Sequence, residues 1–322
     1  MAAIWLGLSL MLSGCGGAPA DSSSAAVEDH APEPGDSTEI EDAEVPTASS
    51  KKGKYAAPEL LLSEYRGKKA SKEGQIEIDE SGVEDGYVGF SVKADAVIKI
   101  QVMKDGGSYM YTPDPDGTPS IFPLQMGDGK YEYKVWENVD GTTFSKIGSG
   151  SFEVSLKDEF SPYLRPSDYV KYDKASGVVK KSRELAKTAN TQLDVVKAVY
   201  KFVTENIKYD SEKAENPSTD IPATPDETLK TGYGICLDYA SLAAALLRAQ
   251  GIPTKMIYGD VGEDDLYHAW NMFYTEETGW VTVDFKIKKK NSWYRLDLTF
   301  SAGGASMKYV GDGTNYRDLY TY

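Results

Sequence analysis

The sequence predicts an α+β chain in which an antiparallel β-sandwich precedes a domain of helices and sheet. Two observations predict it. From Gln75 to Leu156, apolar residues recur with period two in short runs separated by turn chemistry, as in half-buried strands. From Ala175 onward the period becomes helical, and after residue 250 the chain returns to strand-like runs dense in aromatic residues.

Residues 1–14 read as an export signal of lipoprotein type. Ile4, Trp5, Leu6, Leu8, Leu10, Met11 and Leu12 make an apolar run well short of the roughly 20 residues a membrane span needs, so a processed signal is the better reading. Met1-Ala2-Ala3 lacks the usual basic start. The run ends in Leu12-Ser13-Gly14-Cys15, which resembles the lipobox of bacterial lipoproteins. That resemblance implies a lipid on Cys15 and a place at the extracellular face of the cell membrane.

Residues 15–50 are predicted to form a disordered acidic tether. Nine acids between Asp21 and Ser50, with no Lys or Arg, account for nine of the fifteen net negative charges. Such a segment buries too little apolar surface to order itself, and as a random coil it spans on the order of 30 Å. The acidic balance argues against a nucleic-acid partner. Residues 51–74 shift to basic, with Lys51, Lys52, Lys54, Arg66, Lys68, Lys69 and Lys72 around Leu60-Leu61-Leu62. They read as a solvated basic linker with one docking element, contact with an anionic membrane or wall polymer being the less common alternative.

Residues 75–157 carry the period-two runs Gln75–Asp79, Tyr87–Val92, Ala96–Val102, Lys130–Glu137 and Ser151–Leu156. Between them lie Asp105-Gly106-Gly107, Asp116-Gly117, Gly127-Asp128-Gly129 and Asp140-Gly141, which are turn sequences. Short strands at this spacing imply an immunoglobulin-like sandwich serving as a spacer or docking domain. Tyr109, Tyr111 and Tyr131, read as exposed, could stack on sugars, although ordinary strand positions are the commoner explanation. No catalytic set is visible in this part.

Pro162 and Pro166 set an extended connection into residues 160–322. Ala175–Ala189 and Thr191–Ile207 follow as two amphipathic helices, the second with Leu193, Val196, Val199, Tyr200, Val203 and Ile207 on one face. A proline-bearing loop, 211–225, is long enough to line a cleft. Thr224-Pro225 then looks like a helix start.

The chemistry centres on Thr231–Pro253. Gly232 and Gly234 flank Tyr233 in a tight approach, and helix formers run from Cys236 until Gly251 and Pro253 stop them. Cys236 thus opens a helix, where unsatisfied N–H groups and the dipole favour a thiolate. The chain has two histidines, and His30 lies in the acidic tail, which leaves His268 as the imidazole of the folded part. His268 sits in the strand-like run Tyr267–Tyr274, and Gly279–Phe285 reads as its hairpin partner, bringing Asp284 close to the level of His268. A Cys, a His and an Asp on converging elements are what nucleophilic catalysis needs.

Three motifs in order carry a family resemblance: Gly234-Ile235-Cys236-Leu237-Asp238-Tyr239-Ala240, His268-Ala269-Trp270-Asn271, and Trp280-Val281-Thr282-Val283-Asp284. From about Leu193 to Phe285 the chain resembles the transglutaminase-like superfamily. The resemblance implies a papain-like α+β fold for residues 160–322, with Cys236 as nucleophile, His268 as general base and Asp284 as its orienting partner. Tyr233, Tyr239 and Trp270 are the candidates for oxyanion or substrate contacts.

The expected activity is that of a cell-surface thiol enzyme of a Gram-positive bacterium, acting on amide bonds of proteins or cell-wall peptides through a Cys236 thioester, as a cysteine peptidase or amidase. The alternatives are a crosslinking transglutaminase and a catalytically silent wall-binding module. If Cys15 is acylated, Cys236 has no disulfide partner within the chain, and retaining such a thiol in an exported protein suggests a use for it. No cofactor or metal is expected. Asp260, Glu263, Asp264 and Asp265 lack the alternation of a calcium loop.

Overall fold

The structure, a computed structural model, describes residues 54–215, 223–261, 266–276, 279–281, 295–296 and 316–322. The predicted signal and tether, with Cys15, lie outside the described residues, as does Asp284.

Among the described residues, eight strands build the N-terminal half. They are β1 (Ala70–Glu73), β2 (Ile76–Asp79), β3 (Tyr87–Val92), β4 (Ile98–Lys104), β5 (Gly107–Tyr111), β6 (Ser120–Pro123), β7 (Gly129–Asn138) and β8 (Phe144–Val154). They form two antiparallel four-stranded sheets, in the orders β1-β2-β3-β6 and β5-β4-β7-β8. Period-two apolar residues turn inward from both, as Ile78, Phe90 and Phe122 do from the first sheet and Ile100, Tyr131 and Val135 from the second. Phe90 meets Tyr133 edge-on at 5.6 Å, and Tyr111 stacks on Phe122 at 4.0 Å, so aromatic rings join the two layers. Asp105 and Gly106 both take positive φ (48° and 87°), the geometry a two-residue hairpin demands. Tyr111 and Tyr131 are buried, at 2% and 0% exposure, which corrects the reading of them as exposed. Period two marks a face but does not say what covers it. Tyr109 lies instead at the seam between the two halves.

Among the described residues, five α-helices and seven strands follow: α1 (Gly177–Leu185), α2 (Gln192–Asn206), β9 (Lys208–Tyr209), α3 (Ser211–Glu215), α4 (Pro225–Thr231), β10 (Tyr233–Gly234), α5 (Cys236–Arg248), β11 (Thr254–Val261), β12 (Leu266–Thr275), β13 (Gly279–Val281), β14 (Arg295–Leu296) and β15 (Tyr316–Thr321). Every residue of α5 is buried. Helices α1, α2 and α4 and strands β11 and β12 all pack on it. Local chemistry sets the ends of these helices. Thr191 and Asp194 exchange side-chain-to-backbone bonds in a capping box at α2. Thr224 caps α4, with Pro225 in its first turn. The sheet runs β13-β12-β11-β15, with β14 also paired to β12.

One core cluster runs from the sandwich through α5 to β12. At the seam Tyr322 stacks on Tyr169 at 4.1 Å and meets Tyr109, Tyr111 and Tyr258 edge-on. It also exchanges both backbone hydrogen bonds with Met256. Arg248, 1% exposed, donates to the carbonyls of Thr254, Arg165 and Tyr322 at 2.8–2.9 Å.

The basic stretch expected to be a solvated linker is, from residue 54 to 69, a strap lying across both halves. Tyr55 donates from its N–H to Ala189 and from its hydroxyl to Gln250, and Pro58 fills the space beside Gly251. Leu60 and Leu62 pack on the core. Farther along, Asp79 accepts from the N–H groups of Arg66 and Gly67, at 2.6 and 2.8 Å. The Asp85 carboxylate takes Arg66, Lys157 and Arg165 together, at 3.0–3.1 Å. Of the strap's described cations only Arg66 reaches a buried carboxylate; Lys54, Lys68 and Lys69 stay exposed, and it is the backbone N–H groups and the apolar residues that dock.

Burial pushes both carboxyls up, yet hydrogen bonds outweigh it. Ser81, Gly67 and Arg66 bind Asp79, while Lys157, Arg165 and Arg66 bind Asp85, and both groups end below the usual carboxylate range. Their folded values being depressed, the stability they lend is present above about pH 4 and lost as pH falls through the lower folded values. Below about pH 3, pepsin should cut residues 54–69 before either half unfolds. A strap protected until global unfolding would contradict this.

Candidate active site

Cys236 is the first residue of α5 and is 4% exposed. The approach to it is built by β10, which pairs in parallel with β9 through Tyr233↔Lys208 and Gly234↔Tyr209. The two glycines have different reasons. Gly232 ends α4 at φ 71° and donates to Thr228, a left-handed cap. Gly234 has no such φ; a Cβ there would fall 2.6 Å from that of Asp238, so it is glycine for space.

Asp238, not singled out from the sequence, occupies that space. It is fully buried. Its Oδ2 accepts from the N–H of Ile235 at 2.8 Å and from Lys213 Nζ at 2.7 Å, while Oδ1 accepts from the N–H of Ala223 at 2.7 Å. A helix-start acid was legible as a cap, but its partners arrive from other segments.

His268 is the third residue of β12, opposite Gly259 of β11, and is 2% exposed. Its ring lies along that of Trp270, two residues on, at 6.3 Å and 29°. Strand alternation puts Ala269 and Asn271 on the opposite face. There Asn271 Nδ2 donates to the carbonyls of Ala240 in α5 and Lys255 in β11, at 3.0 and 3.1 Å, tying helix to sheet. Cys236 and His268 thus stand near the starts of two elements in direct contact.

The remaining candidates divide. Tyr233 is 51% exposed, with Lys208 Nζ 6.0 Å from its ring centre. Tyr239 is buried, its hydroxyl committed to the Ile207 carbonyl at 2.7 Å and its pKa pushed up to about 12 by burial. Trp270 belongs to an apolar cluster with Ile257, Met272 and Tyr316 and is 1% exposed. Asp260 is held by the Arg317 guanidinium. Among the described residues no group of three His, Cys, Asp or Glu side chains is arranged to hold a metal, and no helix is long and apolar enough to cross a membrane.

Residues 179–285 match the model of the transglutaminase-like superfamily. This stretch is a transglutaminase-like domain. It contains Cys236, His268 and Asp284, so all three motifs read from the sequence fall within it. A UPF0252 protein of Methanocaldococcus jannaschii is 42% identical over 67 residues, which are 19% of this chain and 19% of that protein, so the likeness spans about a fifth of the relative's length. Among solved structures, the chain resembles a candidate cysteine protease from Cytophaga hutchinsonii with TM-score 0.35 and 16% identity, over 72% of this chain and 79% of that one. Legionella pneumophila LapG gives TM-score 0.30 and 17% identity over 45% and 68%. Red sea bream transglutaminase gives 0.26 and 13% over 62% and 48%.

Proposed function

We propose that this protein is a cell-surface thiol enzyme that hydrolyses amide bonds of proteins or cell-wall peptides through a thioester on Cys236. The observation that carries the reading is the placement of the thiol at the first residue of a buried helix inside the transglutaminase-like domain. His268 takes the thiol proton, the thiolate sulfur attacks the amide carbon, and the proton passes to the leaving amine. The N–H of Cys236 donates to the oxyanion, with Tyr233 at the open side. Water then attacks the thioester, His268 accepting its proton and returning it to the departing thiolate. Asp284 orients the imidazole. Hydrolysis needs one bound substrate and a water, whereas transfer needs a second site for an amine. Transfer to a lysine is the second reading, favoured by the 4% exposure of Cys236, since a thioester shielded from water survives to meet an amine.

Export and lipid attachment at Cys15 place this chemistry outside the cell. The β-sandwich acts as a spacer or docking module, and its immunoglobulin-like character is supported by the strand orders β1-β2-β3-β6 and β5-β4-β7-β8.

The test is product analysis by mass. Peptide libraries containing glutamine and cell-wall stem peptides are incubated with the protein, with and without excess primary amine. Cleaved or deamidated product even with the amine present is the expected result; amine adducts displacing it would establish transfer instead. No product from any pool, with an unreactive Cys236, would leave the silent binding module.

A further inference from the structure

We infer that Asp238 and Lys213 form a positioning pair for Cys236, the carboxylate fixing the first turn of α5 and the ammonium cancelling its charge so that a thiolate can form beside it. The inference rests on the proposed thiol chemistry.

A carboxylate two residues from a nucleophilic cysteine works against it, because a second negative charge nearby raises the cost of ionising the thiol. Asp238 is nevertheless fully buried there. Its two backbone bonds explain its presence. By binding the N–H of Ile235 it orders the residue before Cys236, and by binding Ala223 it ties down the chain just before α4. Gly234 leaves room for it.

Two neutral hydrogen bonds do not balance a buried charge. Among the described residues the cation at this carboxylate is Lys213, whose side chain is one-third exposed. Lys213 is itself placed by the thiol's approach. Its N–H donates to Asp210 Oδ1, and the N–H of Asp210 donates to the Gly234 carbonyl. The other polar groups around the turn have their own engagements: Tyr239 bonds Ile207, Lys208 lies over Tyr233, Asp226 of α4 caps α1, and His268 comes from β12. The Asp210 carboxylate, engaged by the Lys213 N–H, adds a second negative charge at this approach, so the Lys213 ammonium is the described cation that offsets the negative charge at the start of α5.

The experiment measures iodoacetamide alkylation of Cys236 against pH in the full chain. Lys213→Met should move the reactivity midpoint upward by about one pH unit, slowing alkylation at pH 7 about tenfold. Asp238→Asn in the same chain should bring the midpoint back, and Lys213→Arg should keep the wild-type value. Should Lys213→Met fail to fold, Lys213→Gln serves in its place. Asp238→Asn alone tests the same point, because its midpoint should lie at or below wild type. A midpoint unmoved by loss of the lysine, a double variant shifted as far as the single one, or an Asp238→Asn midpoint above wild type each overturns the pair. His268→Ala separates the two levels. If it raises the midpoint while Lys213→Met does not, only the pair fails; if it changes nothing, the thiol–imidazole reading fails first.

Discussion

Replacing Cys236 by alanine is expected to abolish amide turnover while leaving the fold intact. The change removes one sulfur atom from a site where the surrounding α5 residues are already buried, so the stability cost is about 1 kcal/mol. Without a nucleophile no thioester forms, and the loss in kcat is about 10^4-fold or more. His268→Ala should cost about 10^2- to 10^4-fold, the range for a general base, and should also raise the pH at which the thiol becomes reactive. The two losses should not add, because each group is useless without the other. Initial rates on the best substrate from the peptide screen, with melting curves for both variants, check this. A Cys236→Ala protein that still turns over substrate would remove the thiol from the mechanism.

Arg248→Met is expected to give the largest loss of stability, about 3–5 kcal/mol. Methionine replaces the aliphatic stem, but the carbonyls of Thr254, Arg165 and Tyr322 each lose a buried donor. Burial lowers the guanidinium pKa to about 10, so it remains charged at neutral pH. Those three carbonyls belong to β11's first residue, the connection from the sandwich and the tyrosine seam, so the loss loosens all three together. A fall in Tm on the order of 10 °C is the expected reading, with Arg248→Lys intermediate because an ammonium cannot reach three directions in one plane. A Tm within a degree or two of wild type would mean that the carbonyls find other donors.

The site was legible where the chemistry is local in sequence. A glycine-flanked tyrosine and then a cysteine ahead of helix formers predict a thiol at a helix start, and Cys236 does open α5. The hairpin from Tyr267 to Trp280 follows from aromatic runs around a polar turn, and the structure pairs Phe273 with Val281. What stayed hidden depends on partners distant in sequence. Lys213 lies 25 residues before Asp238 in the chain and touches it. Trp270 reads as a site residue from its motif, and the Tyr316 ring that meets it edge-on comes from 46 residues later. Strands β1 and β6 have four residues each and no clear alternation, so β1 fell within the linker and β6 in no named run, while β5 showed only through Tyr109 and Tyr111 as strand positions. The strap reads as a linker with one docking element because its basic residues suggest solvent, where most of them do lie; that Tyr55, Pro58 and two backbone N–H groups also dock depends on Ala189, Gln250, Gly251 and Asp79, all distant in sequence.

The same strap has a mechanical meaning. It fastens to Ala189, Gln250 and Gly251, beside the last residues of α5, whereas Cys236 opens the other end, about 20 Å away by helix rise. A pull on the chain before residue 54 therefore loads the pole of the helix farthest from the thiol. It first strains the Tyr55 bonds and the Pro58 contact, which can peel one after another while the carboxylate anchors at Asp79 and Asp85 still hold. Force applied there would meet these separate attachments before it reached the turn that carries Cys236.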